Sequence, residues 1–149
     1  MTLGEARRTI GPLWTQLELM FTKSGLLWQR EECTRTDEQA AINSMGEARR
    51  HTLALLSAAT EPALAVALTN NGRVKSPLMT VHRFGLAQDY SLFRVNTWVG
   101  GKPASVTYLS DTESHREFGE WWEKQHPLCR WGGRFNDGGH YSFAWNGVR

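Results

Sequence analysis

Two short segments of the chain hold the residue types that bind a metal ion and activate water. The first contains His82 and Asp89, and the second contains Asp137 and His140. Two imidazoles and one carboxylate suit zinc, and three protein ligands with an open fourth position are typical of a catalytic zinc site. A further carboxylate beside the ligands is a candidate general acid or base. His82, Asp89 and His140 are therefore candidate zinc ligands, and Asp137 is a candidate general acid or base.

Each of these residues also has an ordinary interpretation. A lone histidine is more often a surface or core residue than a ligand, and we expect this of the other histidines, His51, His115 and His126. Asp137 lies in the stretch Asn-Asp-Gly-Gly, whose residue types favour turns. Taken alone, that stretch leaves a turn role for Asp137 open beside the catalytic one.

The two segments together resemble the zinc peptidases of bacterial cell-wall metabolism. The family pattern is Ser/Thr-x-His-x-x-Gly-x-Ala-x-Asp, followed by Trp-Gly-Gly-x-Phe/Trp and then Asp/Glu-x-x-His. This chain matches it at Thr80, His82, Gly85, Ala87, Asp89, Trp131, Gly132, Gly133, Phe135, Asp137 and His140. The segment from Arg130 onward looks most like the small phage endopeptidases, because it leads into Asp-Gly-x-His as theirs does. The resemblance extends from the region of Trp28 to that of Phe143.

The resemblance implies both a fold and an activity. Helices first and strands later already favour an α+β domain. The family adds a single small domain in which helices pack on a small antiparallel sheet that carries the zinc site, as in Hedgehog and DD-peptidase domains. The implied activity is that of a phage endolysin, a zinc-dependent endopeptidase that cleaves the L-alanoyl-D-glutamate bond of the peptidoglycan stem peptide. Alternatives are a D-Ala-D-Ala carboxypeptidase or dipeptidase, and a non-catalytic, metal-stabilised virion module.

The resemblance implies that His82, Asp89 and His140 bind zinc and that Asp137 is the catalytic acid or base, and it adds two further site residues. Arg35 lies in a stretch similar to the family's Arg-Thr/Ser-x-Glu-Gln, which implies a position near the metal. There its guanidinium would stabilise an oxyanion or a substrate carboxylate, since it stays charged and offers forked donors. A solvated Arg35 that pairs locally is the alternative. Thr80 aligns with a Ser or Thr that contacts substrate.

The remaining motif residues receive structural interpretations. Trp131 and Phe135 are predicted to be core residues rather than a substrate platform. The glycine pairs at 132–133 and 138–139 are predicted to serve backbone geometry, and the small residues between the first two ligands to let the backbone bend.

The composition fits one domain without disulfide support. The chain has 149 residues, of which 40% are hydrophobic and seven are tryptophan, enough for one core. We therefore predict a single domain over residues 1–149, which the resemblance implies is a zinc peptidase domain. Cys33 and Cys129 could in principle form a disulfide, but two cysteines without a short spacing are more often free thiols. A formal net charge of +2 is too small to predict nucleic-acid binding, and it is compatible with approach to an anionic cell wall.

No stretch of the sequence has the apolar length of a signal-peptide core or a membrane span. We therefore expect no stable membrane association. We also expect a monomer that stays in the host cytoplasm until lysis and then acts on the stem peptide of the wall.

Periodicity and turn residues predict the order of the elements. Helices are expected at 3–23 (or from Pro12 onward), from Thr36, at 45–57, at 61–69 and at 112–125, with a turn at 70–72. Strands are expected at 26–29, 89–93, 128–131 and 141–145, with a loop or hairpin at 98–103.

Overall fold

The computed structural model describes residues 1–31, 53–54 and 81–148. Over these residues the chain forms a small α+β domain with two complete helices and a five-stranded antiparallel sheet. The predicted α+β class is therefore confirmed. The predicted helices between Thr36 and residue 69 and the turn at 70–72 lie outside the described residues, except that Leu53 and Ala54 are helical.

Helix α1 spans Leu3–Lys23, as predicted from its periodicity. It begins with a capping box, in which Thr2 and Glu5 each accept a hydrogen bond from the other's backbone N–H. The alternative start at Pro12 is wrong, because Pro12 lies inside the helix. It is tolerated there because the ring is exposed, so water can solvate the Arg8 carbonyl that loses its N–H partner. The buried face consists of Ala6, Ile10, Trp14, Leu17 and Phe21.

Helix α1 ends where the sequence predicts, and the first strand follows at once. Ser24 is the C-cap, and Gly25 has a φ of 73°, a left-handed conformation that glycine adopts without strain. Strand β1 then spans Leu26–Arg30, one residue longer than predicted.

The sheet is built around one long strand. Strand β2 spans Ala87–Val99, and β1 pairs with its central part along one edge. The other edge is shared by β5 (His140–Phe143), which pairs with the start of β2, and by β3 (Lys102–Tyr108), which pairs with its end. Strand β4 (Cys129–Trp131) pairs with the outer edge of β5.

The predicted strand at 89–93 is therefore only the middle of β2, and β3 was not predicted at all. Trp98 and Pro103 are paired across a hairpin instead of lying in a loop. The turn is limited to Gly100 and Gly101, which both have positive φ and suit a two-residue hairpin. The hairpin alternative thus holds, with a shorter turn than predicted.

The second helix is preceded by a 3₁₀ helix. A 3₁₀ helix over Glu113–His115 leads into α2, Arg116–Gln125, so the predicted helix at 112–125 is α-helical only in its second part. The last predicted strand is also shorter, since β5 ends at Phe143 and Trp145 forms an isolated bridge with Val148.

Both helices pack on the sheet through aromatic side chains. The rings of Trp14 in α1 and Trp122 in α2 stack with centroids 4.3 Å apart, and Phe21 meets Tyr90 of β2 edge-on at 5.3 Å. Cys129 is buried as a free thiol, as predicted, and burial raises its pKa to about 12; Cys33 lies outside the described residues. Among the described helices, none combines the length and hydropathy needed to cross a bilayer.

Candidate metal centre

Three elements bring the predicted ligands to one place. His82 lies in a 3₁₀ helix over Val81–Phe84, Asp89 lies on β2, and His140 is the first residue of β5. Asp89 and His140 are direct partners across the β2–β5 ladder, so the sheet sets their separation. Gly85, with a φ of 65°, turns the chain from the 3₁₀ helix into β2, as the small residues of this stretch predicted.

The ligand atoms converge closely enough for one ion. Nδ1 of His140 lies 2.8 Å from Oδ1 of Asp89 and 3.2 Å from Nε2 of His82. Nε2 of His82 lies 3.6 Å from Oδ2 of Asp89. A tetrahedral zinc ion with bonds of about 2.0–2.2 Å separates its ligand atoms by roughly 3.3–3.5 Å. The predicted group is therefore confirmed as one that could hold a metal ion.

The two imidazole nitrogens of His82 and His140 face each other across 3.2 Å. Two lone pairs at this distance would repel, so the contact is satisfied either by the N–H of one ring or by a metal ion that both nitrogens bind. The side chain of His82 is 4% exposed, that of His140 is 13% exposed and that of Asp89 is 32% exposed. The centre is thus closed on the His82 side and open beside Asp89.

Asp137 is held in the loop that leads into β5. Its N–H donates to the Gly132 carbonyl at 3.0 Å, and its carbonyl accepts from the N–H of His140 at 3.2 Å. The indole N–H of Trp131 donates to the Gly138 carbonyl at 2.8 Å within the same loop. These bonds combine a turn with a fixed approach to the last ligand, so the two interpretations of Asp137 are compatible.

Asp137 is exposed as a whole residue, but its surroundings still raise the pKa of its carboxyl group. Partial burial of the carboxyl raises its pKa, and the negative charge of Asp89 raises it further, while His140 acts in the opposite direction. A carboxyl with a raised pKa is better suited to hold and return a proton near neutral pH than an ordinary surface aspartate.

A polar cavity of about 330 Å³ opens beside the centre. Asp89 and Asp137 both line it, and hydroxyl and carboxylate groups make up much of the remaining wall. Its other polar side chains are those of Glu31, Tyr90, Ser91, Tyr108, Ser110, Thr112, His115 and Asn136. A cavity of about 460 Å³ beside α2 is larger, but none of the metal-capable residues lines it.

Several of these cavity residues were not predicted from the sequence. Glu31 follows the end of β1, and Tyr108 ends β3. They reach the cavity because both strands pair with β2. Neither belongs to a motif, so only the pairing of the strands identifies them.

The glycines of the loop are required for close approach rather than for unusual φ angles. A Cβ on Gly132 would lie 2.3 Å from the Asp137 carbonyl oxygen and 2.7 Å from Cβ of His140. A Cβ on Gly139 would lie 2.7 Å from the Tyr90 carbonyl oxygen. These glycines thus serve backbone geometry because a side chain at either position would collide with the loop or with β2.

Replacing Gly132 by alanine is expected to displace this loop. The new methyl group overlaps the backbone at Asp137, so we expect a loss of about 1–3 kcal/mol in the free energy of unfolding and weaker metal binding. Urea denaturation and metal titration measure the two effects. The control is Gly11→Ala in α1, where no atom lies within 4 Å and a gain of about 0.5–1 kcal/mol is expected. Unchanged metal affinity in Gly132→Ala would show that the loop does not position His140.

His115 is a buried residue outside the ligand group, in agreement with its ordinary interpretation. It is 3% exposed, and its Nδ1 lies 3.1 Å from the hydroxyl of Tyr141. Burial lowers its pKa from 6.5 to about 4, although Asp111 opposes the shift. His115 is therefore neutral in the folded protein at neutral pH.

Acidification is expected to destabilise the protein through His115. As the pH falls, the unfolded chain binds a proton at this histidine before the folded one does. The stabilisation is therefore full above a pH of about 6.5 and is lost towards a pH of about 4. At about 1.4 kcal/mol per pKa unit, the loss is on the order of 3 kcal/mol. Urea denaturation of chelated protein across this range tests it. His115→Gln should make the free energy of unfolding less dependent on pH, whereas His126→Gln should keep the pH dependence of the parent. Equal pH dependence in all three proteins would refute the assignment.

The other predicted site residues have mixed outcomes. Trp131 is 2% exposed and belongs to the core, as predicted. Phe135 is 66% exposed, so its prediction as a core residue is wrong. Phe135 ends the 3₁₀ helix over Gly132–Phe135 at its exposed end, and its ring centroid lies 6.1 Å from that of His140. Arg35 and Thr80 lie outside the described residues, as does His51.

Comparisons of the chain with protein-family models, with curated proteins and with solved structures give no match. The metal-capable group and the cavity therefore carry the functional argument.

Proposed function

We propose that the protein is a zinc-dependent peptidoglycan endopeptidase of the phage endolysin type, which cleaves the L-alanoyl-D-glutamate bond of the stem peptide. The observation that carries the proposal is the convergence of both motifs. His82, Asp89 and His140 meet at distances that suit one ion, and Asp137 lines the cavity beside them. Residues from two distant segments have no reason to converge in this way if the motif match were accidental.

Zinc is the metal that this donor set suits best. Two imidazoles and one carboxylate, with room for a fourth ligand, are typical of catalytic zinc sites. Bound zinc would supply Lewis acidity towards a water molecule and towards the scissile carbonyl. The open side next to Asp89 is where the substrate would enter, because the polar cavity adjoins it.

Side chains of the protein would then transfer protons, stabilise the oxyanion and contact the substrate. Asp137 takes a proton from the attacking water and returns it to the leaving amine, for which its raised pKa is suitable. Arg35 would stabilise the developing oxyanion, and Thr80 would contact the substrate; both roles rest on the motif resemblance. Phe135, exposed beside His140, offers an apolar wall against which part of the substrate can pack.

The proposal includes a fold relationship and a biological setting. The arrangement of helices on a small antiparallel sheet with the metal centre at its middle strand is the one expected of Hedgehog and DD-peptidase-like domains. We further propose that the protein acts as a monomer and remains in the host cytoplasm until lysis.

The identity of the cleaved bond distinguishes the proposal from its alternatives. Zinc-loaded protein would be incubated with purified peptidoglycan, and the released fragments identified by mass spectrometry. The proposal predicts peptides with a new amino terminus on D-glutamate. Release of D-alanine alone would indicate the D-Ala-D-Ala carboxypeptidase alternative.

A control separates absence of activity from absence of metal. Chelated protein should be inactive and should recover when zinc is restored. Full zinc occupancy without any released fragment would support the non-catalytic virion module instead. That alternative is disfavoured because a non-catalytic protein has no need of Asp137 beside an intact ligand set.

A further inference from the structure

Beyond the core, β2 and β3 continue as a two-stranded ribbon. The pairing of β1 with β2 ends at Arg94, whereas β3 remains paired with β2 as far as Val99. All residues of β3 are exposed. Among the described residues, the two strands at the end of this ribbon therefore pair only with each other.

Next to the core the ribbon has one apolar and one polar face, and register shifts between Val95 and Trp98 interrupt this alternation towards the tip. Phe93 pairs with Tyr108, with ring centroids 5.4 Å apart, and Val95 pairs with Val106. These two pairs are two residues apart along each strand, so their side chains share a face. On the other face the Asn96 amide nitrogen lies 2.9 Å from the Thr107 hydroxyl and 3.3 Å from that of Ser105.

Large apolar side chains are exposed along this ribbon and at its tip. Trp98 is 60% exposed and Val99 is 70% exposed next to the Gly100–Gly101 turn, while Val106 is 46% exposed. Isolated exposed apolar residues are common on protein surfaces, but a group on one projecting element indicates a contact surface.

The charges of the ribbon select the kind of surface that it fits. Residues 93–108 include Arg94 and Lys102 and no aspartate or glutamate. We propose that the ribbon docks on an anionic lipid surface, with Trp98 and Val99 at the boundary between headgroups and acyl chains. Tryptophan favours this boundary, and lysine and arginine attract anionic headgroups.

Two other occupants fit less well. A glycan would stack on the exposed ring of Trp98, but a surface of hydroxyl groups would not favour burial of the neighbouring Val99. A second copy could add along the edge of β3 that pairs with no strand among the described residues. It would meet Lys102 and Pro103 there, which are residue types that hinder edge-to-edge pairing. Docking through the tip is peripheral, so it needs no spanning helix.

The proposal is tested by sedimentation of the zinc-loaded protein with vesicles. Vesicles of phosphatidylcholine with phosphatidylglycerol are compared with vesicles of phosphatidylcholine alone. We expect binding to the anionic vesicles, weakened by added salt. Trp98→Ser combined with Val99→Ser should lower the partition coefficient by about tenfold or more, and Arg94→Gln combined with Lys102→Gln should reduce the preference for anionic lipid.

The matched control is Leu19→Ser, which removes an apolar side chain that is 50% exposed on α1 and should leave vesicle binding unchanged. Thermal denaturation verifies that each variant is folded. Equal partitioning of the parent and the Trp98/Val99 variant, or no binding of the parent, would overturn the proposal. The proposal would also be overturned if the only effect of the Trp98/Val99 change were the loss of a dimer or the loss of binding to lipid-free peptidoglycan. The test does not depend on the proposed hydrolysis.

Discussion

Replacing His82 or His140 by alanine is expected to remove the bound metal and, with it, all hydrolysis. Each ring nitrogen is one of three donors in a group whose atoms lie within 4.8 Å of one another. Loss of a partner outside the ligand set typically costs 10–100-fold in metal affinity, so loss of a ligand should cost more than about 100-fold. Elemental analysis of protein purified without added metal should show near-stoichiometric zinc in the parent and almost none in either variant.

The chain offers a histidine control for this experiment. His126 lies outside the group, where its Nδ1 accepts a hydrogen bond from the Leu128 N–H, so His126→Ala should keep the parent's zinc. Zinc content equal to that of the parent in both His82→Ala and His140→Ala would mean that the metal is bound elsewhere, and the site assignment would be abandoned.

Replacing Asp137 by asparagine should preserve zinc but reduce hydrolysis by about 10²–10⁴-fold, the usual contribution of a general acid or base. Asparagine keeps the size of the side chain, and the backbone bonds of Asp137 to Gly132 and His140 do not involve the carboxyl group. The loop should therefore keep its conformation. Rates of peptide release from peptidoglycan, measured beside zinc content, separate chemistry from metal loss.

A carboxylate distant from the centre provides the comparison. Glu117 is exposed on α2, and Glu117→Gln should retain both zinc and activity. Loss of zinc in Asp137→Asn would make Asp137 a ligand or a folding residue. A normal rate with normal zinc would assign proton transfer to another group.

The ligand group was predictable because two motifs with a known spacing distinguish its residues from the other histidines and aspartates of the chain. Imidazole and carboxylate are the donors that zinc accepts, and both motifs stand intact in the sequence. The pairing of Asp89 with His140 was not predictable in the same way, because strand register depends on contacts between segments far apart in the chain. The long helix α1 was predicted well, since its apolar residues recur at helical spacing.

Strand β3 escaped prediction for a physical reason. Sequence periodicity reveals a strand when one face is buried, but every residue of Lys102–Tyr108 is exposed. Lysine, proline and alanine at its start also have low strand propensity. Phe135 was misjudged for the opposite reason, because its apolar side chain indicates burial although it lies at the exposed end of a short 3₁₀ helix.

The β2–β5 ladder also has a consequence for the order of events during folding. Asp89 and His140 are 51 positions apart in sequence, so no amino-terminal portion of the nascent chain that stops short of β5 carries the full ligand set. A slip of one residue in this ladder would turn one of the two ligands to the opposite face of the sheet. High-affinity metal capture therefore has to await a long-range closure that is intrinsically slow. A bound ion would stabilise only the correctly registered chain and would thereby favour it over misregistered conformers.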